Sequence, residues 1–196
     1  MRRRLPWGSI GIGAGAAGAL AVLWWLSARS SSSEAPSAPI VPESSAQATR
    51  RARWMPIFRA AAARYGVPLA WLLAIARKET GFANLRSAPG ARDDELGGAW
   101  GPMQVTSETA RTLGFHPSAS LETRGRAILA DPARGIELGA RYVAELAAEL
   151  GADLAAIAAA YNAGPGRVRS GHIPATTRSG YVPKVLAYAN EYAQVS

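Results

Sequence analysis

The chain has 196 residues, 22 Lys and Arg against 14 Asp and Glu, and no cysteine. That length fits one ordinary domain plus a tail, and the absence of Cys excludes a disulfide framework and a thiolate metal site. The formal net charge of +8 suits a polyanionic partner, yet no nucleic-acid-binding motif accompanies it, so no nucleic acid is expected.

Arg2, Arg3 and Arg4 precede an uncharged run at residues 5–26. As a helix this run would extend about 33 Å, close to the hydrocarbon thickness of a bilayer. Trp24 and Trp25 fall at its far end, where indole rings favour the interface. Residues 1–28 therefore read as a transmembrane anchor with its basic end in the cytoplasm. A cleaved signal is the alternative, although Leu26 takes the place of the small residue that a cleavage site after Ala28 would need. Either way the remainder is exported: held on the inner membrane facing the periplasm, or secreted. Residues 29–49, rich in Ser, Pro and Ala, cannot bury a core and read as a disordered linker. The folded domain is assigned to residues 50–196.

Within it, apolar residues recur at helical spacing. A first helix is expected over residues 54–65, stopped by Gly66. Pro68 opens a second, with Leu69, Leu72, Leu73 and Ala76 on one face. A Gly-rich loop follows at residues 81–101, with room for a minor hairpin. Thr106 or Ser107 caps a short helix closed by Gly114. Asp131 and Pro132 start a helix running to about residue 150, with Gly151 as its stop. Asp153 caps a helix over 154–161 that breaks at Gly164-Pro165-Gly166, and residues 183–192 form the last one. No segment alternates as a strand would, so the fold class is all-α.

Glu79 does not suit its surroundings. It follows Leu72, Ile75 and Ala76 at i+7, i+4 and i+3, and so continues the apolar stripe of the second helix. It also sits in the last turn, where the helix dipole opposes a negative charge. Both effects favour a carboxyl group that keeps its proton near neutral pH and can act as a general acid. Thr80-Gly81 then ends the helix abruptly and opens the Gly-rich loop. Periodicity alone also allows a Glu that reaches solvent beside Arg77 or Lys78.

Four stretches resemble the motifs of lysozyme-like lytic transglycosylases, in the family's order. They are Ala74-Ile75-Ala76-Arg77-Lys78-Glu79-Thr80-Gly81-Phe82, Gly101-Pro102-Met103-Gln104, Ala160-Tyr161-Asn162-Ala163-Gly164-Pro165-Gly166 and Tyr181-Val182-Pro183-Lys184-Val185-Leu186. The resemblance implies a small helical domain related to goose-type lysozyme, acting on the glycan strands of peptidoglycan. With only His116 and His172, no Cys and no His/Glu pair at ligand spacing, no metal or cofactor is expected. The resemblance implies that Glu79 protonates the oxygen between N-acetylmuramic acid and N-acetylglucosamine. Glu79 would then take the proton of the muramic acid C6 hydroxyl as a 1,6-anhydro ring closes. It further implies that Tyr161 orients Glu79, that Asn162 and Gln104 hydrogen-bond the glycan, that Met103 forms part of the floor and that Tyr181 lines the cleft. Met103 as core filling, and Tyr161-Asn162 as a plain helix ending, are the structural alternatives.

Two departures stand out. The family places Ser nine residues after the Glu, whereas Ser87, the candidate substrate-binding serine, is eight after Glu79. Residues 93–100 then intervene before Gly101. The family's Glu-Thr is here Thr176-Thr177, with one extra residue before Tyr181. The insertion carries Asp93, Asp94 and Glu95, so a hydrolysing, inverting muramidase that uses a loop carboxylate to activate water is the second enzymatic reading. A reading of another class is a glycan-binding or scaffold component of an envelope-spanning assembly, which would have no need of Glu79.

Overall fold

The computed structural model describes residues 41–88 and 94–194. Helix α1, Ser45–Tyr65, starts with Ser44 and Gln47 bonding reciprocally to each other's backbone N–H, and stops at Gly66 in the left-handed conformation. Its start corrects the predicted one: residues 45–49, read as linker, are its first turn and a half. The reason is polar. Arg50 Nε donates to the Gly81 carbonyl at 2.9 Å, and Arg51 grips both oxygens of Glu43 at 3.1 Å. No apolar stripe marks this half of the helix, so hydrophobic spacing could not find it. The remainder of the predicted linker, residues 29–40, and the predicted anchor, residues 1–28, lie outside the described residues. Among the described residues no helix is long and apolar enough to cross a membrane.

Helix α2, Leu69–Thr80, runs through the centre of the domain. Leu72, Leu73, Ala74, Ile75 and Ala76 are each at most 1% exposed, so apolar burial on every side holds it in place. After it come a 3-10 turn (Asp94–Leu96) and strands β1 (Ala99–Trp100) and β2 (Val105–Thr106). The strands pair antiparallel, Ala99 with Thr106 and Trp100 with Val105. This two-rung hairpin is the minor one for which the long loop had room. Thr106 caps α3, Ser107–Thr112.

Helix α4, Leu121–Ala130, was not expected from the sequence. Its buried face is built from Arg124, Gly125 and Ile128, which carries almost no hydrophobic signal. The Gly125 backbone lies against the Trp100 ring, leaving no room for a Cβ. Arg124, 1% exposed, donates to the carbonyls of Ser107, Phe115, His116, Pro117 and Ala119. A buried guanidinium is tolerable only when its donors are satisfied in this way.

Asp131 then caps α5, Pro132–Leu150, whose apolar face packs on α1 and on α6, Leu154–Ala163. Pro165 opens the short α7, Pro165–Arg169, so the predicted break at Gly164 is a turn between two helices. A single π-helical turn, Thr177–Tyr181, leads into α8, Val182–Ala193, which packs along α2. Among the described residues the fold is thus helical with one small hairpin, in agreement with the all-α assignment.

Candidate active site

The C-terminal end of α2 opens into a cleft of about 730 Å³. Its walls come from the hairpin and the 3-10 turn on one side, and from α6, α7 and the π-turn with the start of α8 on the other. Glu79, Gln104, Tyr161, Asn162 and Tyr181 all line it, although 102 residues separate the first from the last.

Glu79 occupies the last turn of α2, partly buried, just before Gly81 takes a left-handed φ of 58°. Next to it Thr80 Oγ1 donates to the Pro102 carbonyl at 2.9 Å, tying the C-terminal end of α2 to the hairpin connection. Tyr181 donates its hydroxyl to Glu79 Oε1 at 2.5 Å. Burial, and then the negative charge of Glu79, hold the Tyr181 hydroxyl well above its ordinary pKa, so it remains a donor. Tyr181 is the last residue of the π-turn. A π-turn closes i→i+5 bonds and so takes up one more residue than an α-turn. The extra residue before Tyr181 in the sequence falls in this turn, and Tyr181 leaves it aimed at Glu79.

Tyr161 has a different task from the expected one. Its hydroxyl donates to the Met103 carbonyl at 2.8 Å, and its ring packs on Tyr142 with centroids 5.3 Å apart. Tyr161, expected to orient Glu79, spends its hydroxyl on the hairpin connection, and the hydroxyl that donates to Glu79 is that of Tyr181. Burial and the Glu79 charge keep the Tyr161 proton on as well. Tyr142, pushed up to about 12 by burial and then by Glu149 and Glu145, lines the cleft beneath it.

Gln104 sits at a φ of 49°, an uncommon conformation for a residue with a side chain. Its amide nitrogen donates to the carbonyls of Leu85 at 3.0 Å and Gly101 at 2.9 Å, closing the connection on itself. Both amide hydrogens are spent, so the group Gln104 has left to offer is its Oε1 acceptor. Asn162 Oδ1 accepts from the buried Thr177 hydroxyl at 2.7 Å, which joins α6 to the π-turn.

Two predicted contact residues do not reach the cleft. Met103 is fully buried, its side chain packed against the Gly139 backbone of α5, where an added Cβ would come 2.5 Å from its Sδ. It is a core residue beneath the floor and offers a ligand no surface. Ser87 pairs with Ala99 through two bonds: its N–H donates to the Ala99 carbonyl at 2.8 Å and its Oγ accepts from the Ala99 N–H at 3.0 Å. Ala99 lines the cleft and Ser87 supports it from behind. Residues that sequence reasoning did not single out also line the cleft, among them Thr109, Tyr142, Arg167 and Lys184. Arg167 directly follows the Gly164-Pro165-Gly166 turn, a position that its neighbours could have flagged; nothing local marks Tyr142.

Of the insertion acids, Glu95 lines the cleft, Asp94 lies 4.0 Å from Arg86 Nη2, and Asp93 lies outside the described residues. Among the described residues no three His, Asp or Glu side chains gather closely enough to hold a metal ion.

The Tyr181 bond to Glu79 has a measurable consequence. A hydrogen bond to a charged group contributes about 1.5–3 kcal/mol, so Tyr181→Phe should lower folding stability by about that much. A urea midpoint below that of the parent chain, with the slope unchanged, checks it.

Comparison with known proteins converges on one group. A family model described as the transglycosylase SLT domain matches residues 56–178, a stretch containing Glu79, Gln104, Tyr161 and Asn162 but ending before Tyr181. The chain is 30% identical over 142 residues to the soluble lytic murein transglycosylase of Escherichia coli K12, covering 64% of this chain and 21% of that protein. Among solved structures it resembles an inactive mutant of the lytic transglycosylase Slt from Pseudomonas aeruginosa, at 28% identity and a TM-score of 0.56 over 72% of this chain and 24% of that one. It also resembles the 70 kDa soluble lytic transglycosylase of Escherichia coli, at 28% identity and a TM-score of 0.57, again over 72% and 24%. In complex with bulgecin A the 70 kDa soluble lytic transglycosylase matches at 27% identity and 0.58, over 74% of this chain and 25% of that one. The chain therefore spans about a fifth of the curated relative and about a quarter of these structures.

Proposed function

The chain belongs to the transglycosylase SLT domain family, and from that premise we propose that it is a peptidoglycan lytic transglycosylase with Glu79 as general acid and then base. The observation that carries this reading is the single carboxylate at the end of α2, held by the Tyr181 hydroxyl at 2.5 Å on the wall of a cleft large enough for sugar rings. Glu79 gives its proton to the glycosidic oxygen as the bond from muramic acid C1 breaks. The C6 hydroxyl of the same muramic acid attacks C1 and loses its proton to Glu79, closing the 1,6-anhydro ring. Glu79 ends protonated, as it began. Because the nucleophile belongs to the substrate, the step is intramolecular and needs neither a bound water nor a second carboxylate. Tyr181, as a permanent donor, holds the Glu79 side chain between the two proton transfers. Mass spectrometry of digested peptidoglycan tests the product: anhydro ends are lighter than reducing ends by one water.

Glu95 supports a second reading, since it lines the same cleft and an inverting glycosidase needs a second carboxylate to activate water. Replacing Asp93, Asp94 and Glu95 together by Asn, Asn and Gln separates the two. With Glu79 acting alone, turnover should fall by no more than about fivefold, because exposed charges contribute little. Loss of nearly all turnover would place the water-activating base in this loop.

We place the domain outside the cytoplasm, tethered to the inner membrane through residues 1–28, on the strength of the uncharged run behind three arginines. The full chain should then sediment with membranes and resist salt washing. Recovery as a shortened soluble species would show that the segment is cleaved.

A further inference from the structure

Three cations line the cleft and the acid–base chemistry uses none of them. Lys78 comes from α2, Arg167 from α7 and Lys184 from α8. The Lys78 ammonium lies 5.0 Å from the centre of the Tyr181 ring, the ring whose hydroxyl holds Glu79. Arg167 donates to the Ala163 carbonyl at 3.4 Å. None of the three forms an ion pair with a described carboxylate, whereas Arg64, Arg111, Arg134, Arg141 and Arg169 elsewhere on the surface each do.

With Glu79 protonated at the start of the reaction, Glu95 is the one charged carboxylate among the described lining residues to face these three cations, and the excess of positive charge is unfavourable for the reaction unless the substrate brings negative charge. Glycosidic cleavage passes through an oxocarbenium-like transition state, positive at the anomeric carbon. Cations lining the same cleft oppose that charge, and the N-acetylated sugars are neutral. Carboxylates hanging from the strand would neutralise the cations and gain charge-assisted hydrogen bonds. Deepening the function proposed above, on which it rests, we propose that Lys78, Arg167 and Lys184 form a carboxylate-binding wall that selects glycan strands carrying free carboxyl groups. Those carboxyls belong either to the peptide stems or, where a stem has been removed, to the lactyl group that held it.

Binding by the full chain carrying Glu79→Gln tests the wall without cleavage. The probes are soluble strands with native stems, the same strands with every carboxyl converted to its amide, and strands stripped of stems. Native strands should bind about tenfold more tightly than amidated ones at low salt, since ion pairs to the half-buried Lys78 and the exposed Arg167 and Lys184 give a few-fold each at most. Adding Lys78→Met, Arg167→Met and Lys184→Met should erase that preference while leaving the affinity for amidated strands within about twofold, which also reports intact folding. Stripped strands that bind like native ones assign the lactyl carboxylate as the ligand; stripped strands that bind like amidated ones assign the stem. Equal affinity of the parent chain for native and amidated strands would overturn the proposal, whatever the variants do. So would competition by a polyphosphate as strong as by native strands, which would make the wall a general polyanion surface. Cleavage by the unsubstituted chain is scored separately: if it cuts strands without the preference, only the wall falls, and if it shows the preference without cutting, only the enzymatic reading falls.

Discussion

Glu79→Gln should abolish cleavage and leave glycan binding intact. The amide keeps the length and shape of the side chain and can still accept from Tyr181 through its oxygen, so the cleft wall is preserved. It can neither donate an acidic proton to the glycosidic oxygen nor take one from the C6 hydroxyl. General acid–base catalysis alone supplies about 10²–10⁴-fold, and here one group serves both steps, so the loss should reach the upper part of that range. Turbidity clearing by the purified variant within about tenfold of the parent would remove Glu79 from the chemistry. A glycan-binding scaffold would show a parent that never cleared in the first place.

Arg124→Met should cost about 3 kcal/mol or more of folding stability. Five carbonyls depend on this guanidinium, and each buried acceptor left without a donor costs about 1–3 kcal/mol, partly recovered where water enters. The effect should spread to the site. One of those carbonyls belongs to Ser107, whose own hydroxyl donates to Gly97 at 3.0 Å, and the chain between them forms the hairpin wall of the cleft. A urea midpoint shifted well below the parent, with the slope unchanged, is the expected result. Arg124→Lys should recover only part of the loss, since one ammonium cannot address five carbonyls.

Much of this was legible in the chain. The spacing of Leu72, Ile75, Ala76 and Glu79 placed a carboxylate where an apolar stripe should end, and the four motifs placed Gln104, Tyr161, Asn162 and Tyr181 around it. What escaped the reading was decided by backbone details or by polar burial. Hydrophobic periodicity cannot register α4, whose inward face is Arg124 and Gly125, nor the start of α1, which is anchored by Arg50 and Arg51. The hydroxyl that reaches Glu79 belongs to Tyr181, the last residue of a π-turn that no hydrophobic spacing announces. An extra residue is visible in sequence, but its consequence is visible only in three dimensions. Ser87 and Met103 show the limit of carrying roles by motif: neither lines the cleft, the first being taken up in backbone pairing with Ala99 and the second in the core.

Digestion in heavy-oxygen water tests the central claim most directly. If Glu79 delivers the muramic acid's own C6 hydroxyl, no solvent oxygen enters the product, and the new muramic ends should be anhydro and unlabelled. One heavy oxygen at C1 of every new end, with a reducing sugar in place of the anhydro ring, would contradict it and make water the nucleophile.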